Sequence, residues 1–188
     1  NEDSPLSVLG VVSLLPGSMP VALPESHPVI GWREWVALPD LEVPALKAKI
    51  DTGARTSALH AQKIEEFRKG SSLWVRFQIQ PLQRDRQTIV EATAPLLEYR
   101  HVRSSNGQLE HRAVISTTIA LLGRQWPIEV TLSDRKDMGF RMLLGREAVR
   151  DRFFVDPGRS FLGGKKPQTE HERHLASLRK RRAGRRSD

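Results

Sequence analysis

The chain has 188 residues, 38% hydrophobic and 28% charged, with no cysteine. That length supports one domain with a real core, and the missing thiols exclude a disulfide framework, a cysteine nucleophile and a thiolate metal site. The net charge of +8 is uneven: Lys165 to Asp188 holds nine Lys/Arg against three acidic residues and carries +6, leaving +2 for residues 1–164, so a nucleic-acid reading rests on the tail alone.

In chain order, residues 1–28 lack an initiator Met, contain five prolines and show no sustained apolar period, which predicts an extended, flexible leader. Within it, Leu6 to Leu15 is too short to span a bilayer, and no basic residue precedes it as a signal peptide requires. The missing Met suggests a chain cut from something longer. Val29 to Val36 (VIGWREWV) begins a sheet, with Trp32 and Trp35 as core or strand-pairing residues. Leu46 to Ile50 is the strand that delivers Asp51 into the turn Thr52-Gly53-Ala54, whose small groups let a backbone turn tightly and approach something closely. An Asp in such a place is, on its own, more often a turn residue than a catalyst.

Leu73 to Ile79 (LWVRFQI) alternates strictly and is the clearest half-buried strand; Pro81 to Gln87 breaks the pattern and Thr88 to Val90 resumes it. Val102 to Ile115 reads as two extended arms around Asn106-Gly107, a dipeptide that tight hairpins favour. A second hairpin, Ile119 to Leu132, turns near Gly123, and Gly145 to Arg152 is the one helix expected in the core. Many short β runs with little helical periodicity predict an all-β, barrel-like domain over residues 29–164. The tail, 165–188, reads as a disordered or solvated helical segment able to touch nucleic acid or an anionic membrane by counterion release.

Asp51-Thr52-Gly53-Ala54, after an apolar strand and before Thr56-Ser57-Ala58-Leu59, resembles the active-site loop of retropepsin-type aspartic proteases. Met142-Leu143-Leu144-Gly145-Arg146 resembles that family's second signature, and the hairpin around Ser105, Asn106 and Gly107 its flap. The chain is similar to the bacterial branch of the clan that carries the name ATP-dependent zinc protease and is often found alongside ATP-grasp glutamate ligases. The resemblance implies a retropepsin-like β-barrel with one short C-terminal helix and a peptide or protein substrate. It implies a catalytic Asp51 in the loop Thr52, Gly53 and Ala54, a structural signature at Leu144, Gly145 and Arg146, and substrate contacts from Arg55 and the flap tip. No other Asp in the chain is followed by Ser/Thr-Gly, so the dyad this chemistry needs calls for a homodimer. Location would be periplasmic or membrane-anchored if an export segment once preceded Asn1, and cytoplasmic otherwise.

Two alternatives stand beside the dyad. A zinc protease needs three protein ligands, but His171-Glu172-Arg173-His174 has the wrong spacing and His60, His101 and His111 are scattered, so no metal or cofactor is expected. Gly163-Gly164-Lys165-Lys166 likewise lacks the pattern of an ATP-binding loop. A catalytically inactive peptide-binding module is suggested by Arg55, which stands where the viral enzymes have an Asp that pairs with the signature arginine. Arg146 must then find another carboxylate, with Glu34, Glu147 and Asp151 as candidates, and Arg55 either lines the cleft or turns inward to Glu34 or Asp151.

Overall fold

Period-two alternation decides most of the architecture. A computed structural model describes residues 27–82, 88–103, 107–134 and 139–166; the leader, the flap-tip residues Ser105 and Asn106, and the tail beyond Lys166 lie outside them. The strands are β1 (Val29–Gly31), β2 (Arg33–Leu38), β3 (Val43–Asp51), β4 (Ser57–His60), β5 (Gln62–Lys69), β6 (Ser72–Ile79), β7 (Val90–Arg103), β8 (Leu109–Leu121), β9 (Arg124–Ser133), β10 (Met142–Gly145) and β11 (Phe154–Asp156), with helix α1 at Arg146–Val149. One sheet runs β2-β3-β10-β4-β9-β8-β7-β6-β5, and β2 also meets β8 through Ala37 and Ala120, so six strands close on themselves. The fold is the all-β retropepsin-like one that the motifs imply.

Leu38, Leu46, Leu59, Ile115, Leu132 and Leu144 fill the interior of that ring and are essentially inaccessible to water. Burying each such side chain stabilises the fold by roughly 1.5–3 kcal/mol before entropy is counted. Outside the ring, β5 and β6 form a wing: Val75, Phe77 and Ile79 point into the core while Arg76 faces out, as strict alternation requires. β7 is long because it serves two partners. Its first half pairs with β6, and its second half, from Leu96 to Arg103, pairs with β8 to form the arms of the hairpin expected to be the flap. The β8–β9 turn falls at Leu122-Gly123, both with positive φ (49° and 71°), the conformation of a two-residue hairpin loop.

The segment 29–36, expected to begin a sheet, divides at Trp32 into β1, which pairs in parallel with β11, and β2, which joins the main sheet. One expectation is corrected. The core helix is only the four residues Arg146–Val149, because the Arg150 backbone leaves the helical region at φ −58°, ψ 148° and Asp151 takes a left-handed φ of 61°. Phe153 then returns to the core against Trp126, with ring centres 5.6 Å apart. Strands β4 and β5 were not foreseen; β5 is mostly exposed and shows no apolar alternation that would announce it.

Candidate active site

Two strands far apart in sequence bring the loop and the late signature together. β3 and β10 run parallel with Ile50 opposite Leu144 and Asp51 opposite Gly145, so the acidic residue and the glycine leave the barrel side by side. Leu144 is fully buried and fixes the register. Beyond Asp51 the chain folds back on itself: the Ala54 N–H donates to the Asp51 carbonyl at 3.3 Å and to its Oδ1 at 3.2 Å. This is the local side-chain bond by which Asp favours turns, and it holds one carboxylate oxygen.

The loop is then stitched to the start of α1. The Arg146 N–H donates to the Ala54 carbonyl (2.7 Å) and the Glu147 N–H to the Arg55 carbonyl (3.1 Å). The Ser57 hydroxyl accepts from the Gly145 N–H (3.1 Å), while the Ser57 carbonyl accepts from the Thr131 hydroxyl (3.2 Å). Gly145 is dictated by this contact, since a Cβ there would lie 2.6 Å from the Thr56 carbonyl carbon and 2.9 Å from the Arg55 oxygen. Gly53 is different. A Cβ at that position would meet only Asp51 Oδ1 at 3.4 Å, an ordinary contact, and its φ is not left-handed. Nothing described within its own chain requires glycine there.

Arg146 departs from what was expected of it, while Arg55 takes one of its two expected positions, in a cleft wall. Arg146 takes no carboxylate partner among the described residues; its guanidinium donates to the Thr52 carbonyl at 3.0 Å, tying the signature to the loop through a backbone oxygen. Arg55 does not turn inward. Its side chain is 80% exposed and reaches only Glu147, at 3.8 Å, which in turn pairs with Arg150 at 3.2 Å. Glu34, one candidate partner for both, is fully buried and accepts three backbone N–H groups instead, from Gly31, Leu162 and Gly163. Asp151 lies on the surface beside Arg150.

A cleft of about 460 Å³ opens beside Arg55, walled by Thr56, Arg100, Ile128, Glu129 and Glu147 among others; Asp51 is not in its wall. Arg100, on β7, went unnoticed in the sequence, where nothing local marks it. Its guanidinium bonds Thr56 Oγ1 (3.1 Å), Glu129 (2.9 Å) and Glu98 (2.8 Å), and the bonds to Glu129 first and Glu98 next push its pKa further up. It is therefore a permanent cation that joins β7 to Thr56, at the end of the Asp51 loop. Asp51, Thr52, Gly53, Ala54, Arg55, Leu144, Gly145 and Arg146 thus form one constellation, with Thr52 and Gly53 exposed. Of the expected flap tip only Gly107 is described, with φ 83°. Among the described residues no three His, Cys, Asp or Glu side chains gather as a metal would require, so the residues present do not fit a zinc site; His171 and His174 lie outside them.

A family model described as "Retropepsin-like aspartic endopeptidase RimB" matches residues 29–166. Two relatives named "Probable alpha-L-glutamate ligase", from Shewanella halifaxensis and Desulfotalea psychrophila, are 44% and 46% identical over 144 and 129 residues. The matches take in 77% and 69% of this chain but only 31% and 28% of theirs, so the chain spans about a third of the length of the curated relatives it matches. The crystal structure of a Legionella pneumophila protein of unknown function is similar with a TM-score of 0.63 and 28% identity, over 73% of this chain and 99% of that one.

Proposed function

The chain belongs to the RimB-like family of retropepsin-like aspartic endopeptidases, and from that premise we propose that it hydrolyses peptide bonds with two Asp51 carboxylates, one from each of two copies. The observation that carries this reading is the single Asp51-Thr52-Gly53 loop, exposed at Thr52 and Gly53, with only Oδ1 of the acid engaged among the described residues. Two carboxylates brought within about 3 Å cannot both ionise and share one proton. One acts as base on a bound water while the other donates its proton to the scissile carbonyl oxygen, and the roles reverse as the tetrahedral intermediate collapses. Gly53 supports the same arrangement. A glycine that its own chain does not need is explained by close approach of a backbone from outside, either the partner loop or the substrate. The arms of β7 and β8 would close over the peptide and exclude water.

The favoured substrate is an acidic peptide. Arg55 projects into the cleft with only a long contact to Glu147, and a guanidinium grips a carboxylate through two parallel hydrogen bonds. Such a bond is worth roughly 1.5–3 kcal/mol, on the order of 10- to 100-fold in discrimination. Relatives of this chain are segments of longer proteins named as glutamate ligases, and a ligase that adds glutamate makes the kind of peptide such a cleft would cut. A non-catalytic peptide-binding module is the second reading, favoured by Arg55 in place of the acid of the viral enzymes.

The test is the mass in solution together with cleavage of matched Glu-rich and Gln-rich peptides by the parent, Asp51→Asn and Arg55→Ala. The reading expects a dimer, loss of all cleavage in Asp51→Asn with the fold retained, and loss of the Glu preference alone in Arg55→Ala. Cleavage surviving in Asp51→Asn would sink the aspartic mechanism; a parent that binds Glu-rich peptide but never cuts would favour the module.

A further inference from the structure

The outward face of β2 and β3 gathers cations and aromatic rings at one place, and the Arg33 guanidinium there also donates to the Ser160 hydroxyl at 3.1 Å. Arg33 stands directly opposite Lys49, and Trp35 opposite Lys47. Like charges directly opposite one another are destabilising, and none of these three cations forms an ion pair with a described residue. Between them lies a stack of rings. Trp35 and Phe161 pack with centres 6.0 Å apart and planes inclined by 26°. The Arg33 guanidinium lies 4.6 Å from the Trp32 ring and 5.0 Å from Phe161, and the Lys47 ammonium 5.3 Å from Trp35. All three rings are half-buried and so keep part of their surface in water.

We propose that this face is a binding site for single-stranded nucleic acid, with the cations taking phosphates and the ring stack taking bases. The sequence allowed nucleic-acid contact only through the basic tail, which contains no Phe, Tyr or Trp on which a base could stack. The fold supplies what the tail lacks. Phe161 brings the chain across β2, where its N–H donates to the Arg33 carbonyl at 2.9 Å, and Lys165 and Lys166 follow a few residues on. Lys165 and Trp35 line one groove, so Lys165 stands at the aromatic patch. A polymer that presents anions and flat π-faces in alternation is the partner matching both features. The proposal does not depend on the peptidase reading.

The experiment measures binding of a fluorescent oligouridylate to the full chain across a salt series, with tryptophan emission as a second signal. Three comparators are included: inorganic polyphosphate, poly-glutamate, and phosphatidylserine vesicles. The variants are Lys47→Glu/Lys49→Glu and Trp35→Phe. The expected results are binding with quenching by the oligonucleotide but not by polyphosphate, most of the quenching gone in Trp35→Phe, and affinity reduced at least tenfold in the double variant. The salt slope should fall by roughly 0.7 for each lost phosphate contact. Lys49→Glu sets a carboxylate opposite Arg33, which offsets the Lys47 cation lost from the Trp35 ring, and the melting temperature of the double variant, measured beside the parent's, separates lost binding from lost folding. Affinity unchanged in the double variant would assign binding to the tail alone and overturn the proposal. Binding without quenching would overturn it too, as would vesicles or poly-glutamate that depend on the two lysines as strongly as the oligonucleotide does.

Discussion

A single methyl group decides whether the active-site loop can be built. At Gly145 the obstructing atoms belong to the backbone of Thr56 and Arg55 and cannot rotate away. Gly145→Ala should therefore cost roughly 1–3 kcal/mol or more and displace the Asp51 loop, lowering both the melting temperature and kcat; a variant with parental values would show that the loop can shift freely. At Gly53, where the chain leaves room, alanine should be tolerated by the fold. His60 sets a different constraint. It is buried beneath the β4–β9 pair, and burial first, with the nearby Arg141 charge second, holds its pKa below the ordinary 6.5, while Asp134 and the Ser133 backbone partly oppose this. The folded state thus keeps His60 neutral while the unfolded chain takes up a proton near 6.5. That contribution to stability is complete above pH 6.5 and is lost as pH falls from there toward the lowered folded value. Urea midpoints should be flat from pH 8 to 7 and fall below 6.5 more steeply in the parent than in His60→Gln; equal slopes would refute the assignment.

Among the elements, the segment after β11 is held by backbone bonds to Trp32 and Arg33 and, at its far end, by one carboxylate. Glu34 Oε1 accepts from the Gly31 N–H (2.7 Å) and Leu162 N–H (2.9 Å), and Oε2 accepts from the Gly163 N–H (3.1 Å). Glu34→Gln keeps the size but turns an NH₂ toward a donor, which should cost roughly 1–3 kcal/mol and speed amide exchange at Leu162 and Gly163 ahead of the barrel. Uniform exchange would show that the segment is held elsewhere. The sequence announced some elements and concealed others for physical reasons. β6 and the hairpins were legible because alternation and the Gly123 turn are local signals. β5 was not, because an exposed strand at the sheet edge has no apolar face to display. The roles of Glu34 and Arg100 were equally hidden, since besides one near neighbour each draws its partners from 29 to 129 residues away along the chain. Asp51, Thr52 and Gly53 were legible because the loop's chemistry is written in consecutive residues. The partner of Arg146 was not: the pairing expected was with a side chain, and the actual acceptor is a backbone carbonyl, which every residue carries.

For the whole molecule, one copy holds half of the proposed chemistry. If two must meet, specific activity should fall on dilution, with a midpoint matching the dissociation constant from sedimentation, and mixing parent with excess Asp51→Asn should extinguish activity through mixed dimers. Activity per chain that stays constant to the lowest detectable concentration would rule out a shared dyad. Timing follows from the parallel pairing of β3 with β10. Thr52 and Arg146 are 94 residues apart in the chain and joined by a hydrogen bond, so the loop has no floor until the last barrel strand is in place, and long-range parallel pairing is slow to form. During its own synthesis the polypeptide therefore carries its acid as an inert side chain. On the proposed peptidase reading, the chain could cut neither its unfinished self nor its neighbours before that strand is in place.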